Sequence, residues 1–444
     1  MYSVIILAAG NGSRLKTSTP KVLHKIGGLS LLDHVIGASK GINPNKIIVV
    51  TKPNFALDQL KFAKDIEVAI QKEPKGTGHA VQCGLSAYCD AAKTEENDWI
   101  FVLYADIPLI SSETLQKMLD IAILNKKNGV VVLAMSSEGA KNLGKLEPAE
   151  EQGTIKGIVE AKDAENYNTE LLPLCNCGLL IKASLLKKFI GEIKSSEATG
   201  EIYITEIVKI AYENGYVCRY YESGTNELSG ANTLAEMAVL ERNFQNIMRE
   251  KFMANGVTLV APETVFFSYD TQIESDVVVQ PYVVFGENVR VKRGAVVGPF
   301  CVVEGADIRE AQVGPFSRIR PGSEIHDGAK IGNFVEIKKS VISEKTKVNH
   351  LTYIGDSFVG KNTNIGAGTI TCNYDGINKH KTNIGENVFV GSNSAIVAPV
   401  KIRDNVTIGA GSVITKDVPE NSLAVARGLQ KNIENWSKKR EKQK

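Results

Sequence analysis

A chain of 444 residues is longer than one hydrophobic core readily fills, so two or three domains are expected, and two large ones fit best. With 43% hydrophobic residues, 23% charged residues and a formal charge of +2, the composition is that of an ordinary globular protein; it gives no footing to a nucleic-acid partner and favours small molecules. No apolar stretch approaches a membrane span, the N-terminal residues show no basic segment ahead of a hydrophobic run and a cleavage site, and the 7 scattered cysteines form neither a disulfide framework nor a zinc spacing, so a cytoplasmic location and reduced thiols are expected.

From Met1 to about Ser229, short apolar runs alternate with segments long enough for helices, which predicts an α/β domain with a mostly parallel sheet. The first run, "SVII" (Ser3–Ile6), feeds "LAAGNGSRLKTSTPK" (Leu7–Lys21), a turn whose glycines let the backbone approach a bound group. It is not a Walker A loop and lacks a full G-x-G-x-x-G. Gly10-Asn11-Gly12 alone suits an ordinary strand-to-helix turn as well as a phosphate loop, but Arg14 and Lys21 add cations able to meet phosphate oxygens. Further strands are expected in "KIIVV" (Lys46–Val50) and "DWIFVLYAD" (Asp98–Asp106). Ligands of such sheets sit beyond the carboxyl ends of the strands, where the opening loop and Asp106 both fall, so the two are expected to share one site.

Thr233 to Asn255 reads as a helix. Thr233 and Glu236 have capping-box spacing, Leu234, Met237, Leu240, Phe244, Ile247 and Met248 form an apolar stripe, and Gly256 follows. At 1.5 Å per residue it spans about 35 Å. It serves either as a connector between domains or as a core helix of the first.

Beyond it the period becomes six. Aliphatic or aromatic residues recur at Ile273, Val279, Phe285, Val291, Val297 and Val303, then at Val313, Ile319, Ile325, Ile331 and Ile337, and again at Ile384, Val390, Ile396, Ile402, Ile408 and Ile414. This is the signature of a parallel β-helix, each hexad giving one short strand with its apolar residue in the stacked core. Three hexads make a triangular coil of about 18 residues. The phase breaks between Val303 and Val313, and Thr371–Asn383 is an insertion that must loop out, either to bind something or as a tolerated extension.

With both halves read, the chain resembles the family of bacterial bifunctional N-acetylglucosamine-1-phosphate uridylyltransferases and glucosamine-1-phosphate acetyltransferases over nearly its whole length. The N-terminal resemblance lies in the opening loop, "QKEPKGTGHA" from Gln71, "LYADIPLI" from Leu103, "GIVEAKDA" from Gly157, "CNCGLL" from Cys175 and "SGAN" ending at Asn232. The more specific C-terminal motifs are "RIRPGSEI" from Arg318, "GNFVEIKKS" from Gly332, "NHLTYIGD" from Asn349, "NIGAGTITCNYDG" from Asn364 and "FVGSNSAIVAP" from Phe389. The resemblance implies a Rossmann-like nucleotidyltransferase domain at 1–232, a helical linker at 233–255 and a left-handed β-helix acetyltransferase domain at 256–444. It also implies a homotrimer with acetyltransferase sites shared between chains. Two departures stand out: Ala105 replaces the family's usual glycine, and the region from Val303 to Val313 reads as about one coil short.

By the same resemblance, UTP and N-acetylglucosamine 1-phosphate react to give the nucleotide sugar and pyrophosphate, with Asp106 and Asn232 holding Mg²⁺ and Arg14 and Lys21 neutralising the triphosphate. Leu7, Ala8, Ala9, Gly10, Gln71, Gly76 and Thr77 match uridine-binding positions; Tyr104, Ala105, Gly144, Glu160 and Asn176 match those around the sugar and nucleotide. Taken singly, Asp106 also suits a turn acid, Asn176 a strand-end amide and Glu160 a solvated charge.

The second implied reaction moves an acetyl group from acetyl-CoA to the amine of glucosamine 1-phosphate, and needs a base to deprotonate that amine. One histidine among the 6 carries little weight alone, but His350 follows the inward Val348 by two residues, near a corner and close to Tyr353. The resemblance sets Glu336 against His350 to orient it. Arg320 and Lys338, one full coil apart, are expected to stack as a cationic ladder for the sugar phosphate, joined by Tyr353 and Asn364. Asn373 and Tyr374 match active-site contacts, and acetyl-CoA is expected along Ala367, Ser392, Ala410 and Arg427. The basic tail from Trp436 either adds charge there or is a solvated end. A single-activity nucleotidylyltransferase with a regulatory β-helix is disfavoured by Arg320, Lys338, His350 and Tyr353. A non-catalytic scaffold is disfavoured by Arg14, Lys21, Asp106 and Asn232.

Overall fold

The computed structural model describes residues 1–10, 12–89, 97–138, 143–161, 171–196 and 199–437; Asn11 of the opening loop, the end of "GIVEAKDA" from Lys162 and the basic tail from Lys438 lie outside them. The chain divides into two compact units, Met1–Phe244 and Gln245–Lys444, the division falling inside a long helix.

In the first unit, nine strands form one sheet: β1 (Tyr2–Leu7), β2 (Ile47–Thr51), β3 (Glu67–Ile70), β4 (Trp99–Tyr104), β5 (Asn128–Ser136), β6 (Lys145–Pro148), β7 (Ile155–Val159), β8 (Leu174–Lys182) and β9 (Val217–Glu222). The main order is β9-β5-β8-β4-β1-β2-β3. Pairing is parallel for β9 with β5 and through β4-β1-β2-β3, while β8 runs antiparallel to both of its main neighbours. Apolar runs without polar alternation are what a sheet covered on both faces requires. Accordingly Ile5, Ile48 and Val50 enter one buried cluster, while Val4, Ile6, Ile47 and Val49 enter another.

The opening loop leaves the end of β1, where Leu7 lies in register with Tyr104 of β4 and the Ala105 N–H donates to the Leu7 carbonyl at 3.1 Å. Gly12 has φ +58°, and a Cβ there would lie 2.6 Å from the Cβ of Lys21. Conformation and close approach therefore both require glycine. Ala105 is buried in the core and is absent from the left-handed region, so its methyl replaces a glycine without backbone strain.

The connecting helix spans Leu234–Ala254. The Glu236 N–H donates to Thr233 Oγ1, the Glu236 carboxylate accepts from the Asn232 N–H, and Gly256 follows the end at φ +84°. Its buried stripe is Met237, Leu240, Phe244, Met248 and Phe252; the predicted members Leu234 and Ile247 are exposed instead. Within the first unit, Phe244 packs edge-on against His34; within the second, Gln245 and Arg249 hydrogen-bond the backbone of Phe267 and Val265.

The second unit is three parallel sheets of short strands, each stacking one coil on the next. The expected phase break proves to be two five-residue steps. Ile308 takes the inward place, stacked between Val291 and Ile325, and the ladder continues unbroken through Val297–Val313 and Val303–Ile319. Shortened steps recur at Ile342 and Val359, which also stack. Thr371 hides the period once more: fully buried between Tyr353–Gly355 and Ile396, it accepts the Gly355 N–H at 2.8 Å, which satisfies a hydroxyl in an aliphatic column. At one corner Tyr282, Phe300, Phe316 and Phe334 adopt left-handed φ, rare for bulky residues, and their rings stack at 4.9, 4.9 and 5.3 Å.

Ile337 is fully buried and Ile247 is 40% exposed. Ile337→Ala is expected to cost about 2–5 kcal/mol through the cavity it opens. Ile247→Ala should stay within about 0.5 kcal/mol. Chemical denaturation followed by circular dichroism of both variants checks the assignment, and equal losses would contradict it.

Candidate active sites

At the carboxyl ends of β1 and β4, a cleft of about 490 Å³ is lined by Thr77, Tyr104, Asp106, Gly144, Glu160, Asn176 and Asn232, all singled out from sequence. Lys21 is not itself a lining residue but bonds to two of them: its Nζ donates to Asp106 Oδ2 at 2.6 Å and to Asn232 Oδ1 at 2.7 Å. Residues 85 and 211 positions away thus converge on one ammonium. Pro20 and the buried Val22 and Leu23 fix the base of the Lys21 side chain, and Gly12 lies against its Cβ.

Asn176 sits where the β5–β8 register shifts, its N–H donating to the Gly144 carbonyl at 2.9 Å and its Nδ2 to the Tyr104 hydroxyl at 3.2 Å. Burial, with the Glu160 charge adding to it, pushes the Tyr104 phenol well above its ordinary value, so it stays a neutral hydrogen-bonding group. Thr205 Oγ1 donates to Glu160 Oε1 at 2.6 Å, and the Thr77 hydroxyl accepts the Ile204 N–H at 3.0 Å. Gln71, buried, donates its amide nitrogen to the Gly76 carbonyl at 3.1 Å, and that nitrogen lies 3.1 Å from His79 Nδ1. Leu7 to Gly10, Gln71, Gly76, Ala105 and the exposed Arg14 lie outside the cleft lining. Tyr203, Thr225 and Ser229 line it with no motif to announce them. Burial holds the thiols of Cys177, Cys218 and Cys301 up, the last two to about 12 and about 11, in keeping with reduced thiols.

In the second unit the inward positions Ile331, Val348, Ile365, Val390 and Ile408 stack in one column. Two residues beyond each lie Asn333, His350, Ala367, Ser392 and Ala410, so register alone delivers them to one edge. Arg427 closes that row, its guanidinium donating to the Ala410 carbonyl at 2.6 Å. Arg320 and Lys338 are register partners on the neighbouring face, as expected. Tyr353 pairs with Glu336 and lies over Gly355, where a Cβ would meet its hydroxyl at 2.3 Å; only glycine fits. Asn364 pairs with Lys347 and Phe389.

His350 and the Glu336 expected to orient it each have another partner here. His350 Nδ1 lies 2.8 Å from Asn333 Oδ1, whereas the Glu336 carboxylate accepts from Arg320 at 2.7 Å. Asn333 and His350 face each other across one coil, so the short amide reaches the ring directly; Glu336 is drawn to the nearest cation. That pairing holds the Arg320 guanidinium above its ordinary value.

The insertion folds as a small hairpin, with Tyr374 bridged to Lys379 and the His380 N–H donating to the Asn373 carbonyl. Asn373 Nδ2 donates to Asp356 at 2.6 Å and to the Tyr353 hydroxyl at 3.4 Å; the Tyr374 hydroxyl donates to the Gly376 carbonyl. Sequence reasoning missed Lys379. Lys379 can donate a hydrogen bond only to the neutral amine of Lys338 and so lowers Lys338 from the usual lysine range, with desolvation, the Lys379 charge and Arg320 adding. Three cations crowded together are a ready seat for a dianion.

Residues 4–143 match the MobA-like NTP transferase domain family, 270–305 the bacterial transferase hexapeptide family (six repeats) and 381–416 the hexapeptide repeat of succinyl-transferase. The chain is 44% identical to the bifunctional protein GlmU of Zymomonas mobilis subsp. mobilis, over 99% of this chain and 97% of that one. It is 44% identical to the protein of the same name from Wolbachia pipientis wMel, over 97% of each. The corresponding protein of Paramagnetospirillum magneticum is 42% identical, over 98% of this chain and 96% of that one. Among the described residues, no helix is long and apolar enough to cross a membrane.

The hairpin carries its own test. Asp375 is held down to about 2, first by the Asn378 N–H, then by His380 and the Ile377 N–H. A depressed carboxyl supports the folded hairpin above its unfolded value of about 3.9, and that support is lost as pH falls through about 2. Asp375→Asn removes the charge at neutral pH and is expected to speed amide exchange at Ile377 and Asn378 several-fold. Unchanged exchange would refute the clasp.

Proposed function

The chain belongs to the bifunctional GlmU family, and on that premise we propose how its two sites divide the work. It is a bifunctional enzyme of cell-wall precursor synthesis, a nucleotidyltransferase that transfers uridylyl and an acyltransferase that transfers acetyl. The observation that carries the residue assignment is that the two polar clusters fall in separate units, Lys21–Asp106–Asn232 in one and the His350 edge in the other.

Nucleotidyl transfer in this family implies a divalent metal, and we assign Mg²⁺. The donors suit it: one carboxylate and one amide oxygen that already converge on a cation, leaving room for water and phosphate oxygens. Held there by Asp106 and Asn232, Mg²⁺ would supply charge neutralisation for the phosphates. Arg14 and Lys21 supply the further cations. A sugar-phosphate oxygen bonds to the α-phosphorus of UTP as the bond to pyrophosphate breaks, and the electron pair leaves with pyrophosphate. The attacking group is already an anion, so no base is required. Tyr104, Gly144, Glu160 and Asn176 hold the sugar, and Leu7 to Gly10, Gln71, Gly76 and Thr77 the uridine.

In the acetyl site, Arg320 and Lys338, with Lys379 now added, bind the phosphate of glucosamine 1-phosphate, and Tyr353, Asn364, Asn373 and Tyr374 complete its surroundings. The amine nitrogen attacks the thioester carbonyl, His350 takes the amine proton, and the coenzyme A thiolate leaves and is protonated. Acetyl-CoA lies along Ala367, Ser392 and Ala410 with Arg427 beside its phosphates. These substrates fit a cytoplasmic enzyme.

Chelation separates the reactions: EDTA is expected to abolish pyrophosphate release while sparing thiol release from acetyl-CoA, and equal losses with folding intact would contradict the metal assignment. Asp106→Ala is expected to abolish only uridylyl transfer. His350→Ala should lower acetyl transfer by about 10² to 10⁴-fold and regain rate as pH rises. A folded variant losing both activities would sink the two-site reading. We further propose a homotrimer in which the hairpin, with Ile377 85% exposed at its tip, reaches a neighbouring chain. Sedimentation of a fully active monomer would refute it.

A further inference from the structure

Two oxygens read above as metal ligands are both bonded to a lysine. Lys21 Nζ sits 2.6 Å from Asp106 Oδ2 and 2.7 Å from Asn232 Oδ1, and its side chain is only 10% exposed while that of Asp106 is 33% exposed. A divalent ion would take the same lone pairs, and two cations brought onto one pair of oxygens repel each other. The lysine can leave without disturbing its own backbone. Its Cα is fixed by the turn Lys21–Leu23 and by Gly12 at its Cβ, but four methylenes separate that anchor from the ammonium. An ammonium has three donors, so one remains to sample an arriving phosphate while two stay on Asp106 and Asn232. Phosphate oxygens are charged acceptors and outcompete the neutral amide oxygen of Asn232.

We propose that Lys21 is an internal cation that competes with the divalent metal for Asp106 and Asn232, and that the nucleotide's phosphate, by drawing Lys21 away, admits the metal. This rests on the reading of Asp106 and Asn232 as the metal's protein ligands. Metal and nucleotide then bind with positive coupling, and by linkage each tightens the other through the position of one side chain. The metal arrives with or after the nucleotide, and Asp106 keeps a counter-cation at every stage.

The test is binding of Mn²⁺ alone to the full chain, read from the electron paramagnetic resonance signal of the free ion. Lys21→Met and Lys21→Gln, with folding checked by circular dichroism, are expected to bind Mn²⁺ about ten-fold or more tighter than the unaltered protein, and adding Asp106→Asn should abolish the gain. UMP, itself a weak metal ligand, should tighten Mn²⁺ binding to the unaltered protein markedly more than to Lys21→Met. If the lysine variants bind Mn²⁺ no more tightly, while Asp106→Asn still removes binding, the competition is refuted and the metal assignment survives. Binding insensitive to Asp106→Asn in every protein overturns the metal assignment, and the proposal with it. Should both lysine variants fail to fold, an Mn²⁺ affinity of the unaltered protein that UMP leaves unchanged overturns the proposal.

Discussion

Everything in the second unit depends on one steric requirement: each inward side chain must stack on the one a coil below it. Ile331, Val348, Ile365, Val390 and Ile408 meet that requirement in one column, and because successive coils stack in register, the residues two places on are carried to a common edge. Asn333, His350, Ala367, Ser392 and Ala410 need no separate positioning device. The proposed base and the small residues proposed to face acetyl-CoA would then be by-products of the core. Where the core is interrupted, the interruption is used: the hairpin that loops out after Thr371 brings Lys379 to Lys338.

The first unit solves the same problem by a different route. Parallel strands buried on both faces end together, so segments far apart in sequence emerge side by side, and Leu7 and Tyr104 are in register at that edge. Lys21, Asp106 and Asn232 come from a turn, a strand end and a helix entrance, and what joins them is the pair of hydrogen bonds that one ammonium donates. Both clusters hold cations in close quarters, the Lys21 ammonium against a carboxylate and the Lys338 ammonium against other cations, and both are proposed above to receive phosphate-bearing substrates.

The architecture was legible because it rests on period: six-residue spacing betrays the coils, and uninterrupted apolar runs betray the buried sheet. Three things escaped. The five-residue steps at Ile308, Ile342 and Val359 break the count without breaking the stack, since a corner shortened by one residue still returns the chain to the column. Thr371 is a polar residue in an aliphatic column, permitted because its hydroxyl is satisfied by Gly355. Leu234 and Ile247 belong to a helical stripe by spacing yet lie exposed, because the faces that bury a helix are set by its neighbours. Of the residues singled out from sequence, Thr77, Tyr104, Asp106, Gly144, Glu160, Asn176 and Asn232 line the cleft; Tyr203, which lines it too, and Lys379 went unmarked, for no spacing marks a residue brought in by a loop. The choice of Asn333 over Glu336 as the partner of His350 depends on cross-coil register and on Arg320 capturing the carboxylate, neither visible in a linear string.

The central claim is that one chain performs two transfers in sequence at two separate sites. Its most direct test supplies glucosamine 1-phosphate, UTP and acetyl-CoA bearing a labelled acetyl group to the full chain with Mg²⁺, and follows label, thiol and pyrophosphate together. Two working sites predict labelled UDP-N-acetylglucosamine, with one thiol and one pyrophosphate released for each molecule formed. Thiol release without labelled nucleotide sugar, or pyrophosphate release that does not depend on the acetylated sugar phosphate, would contradict it.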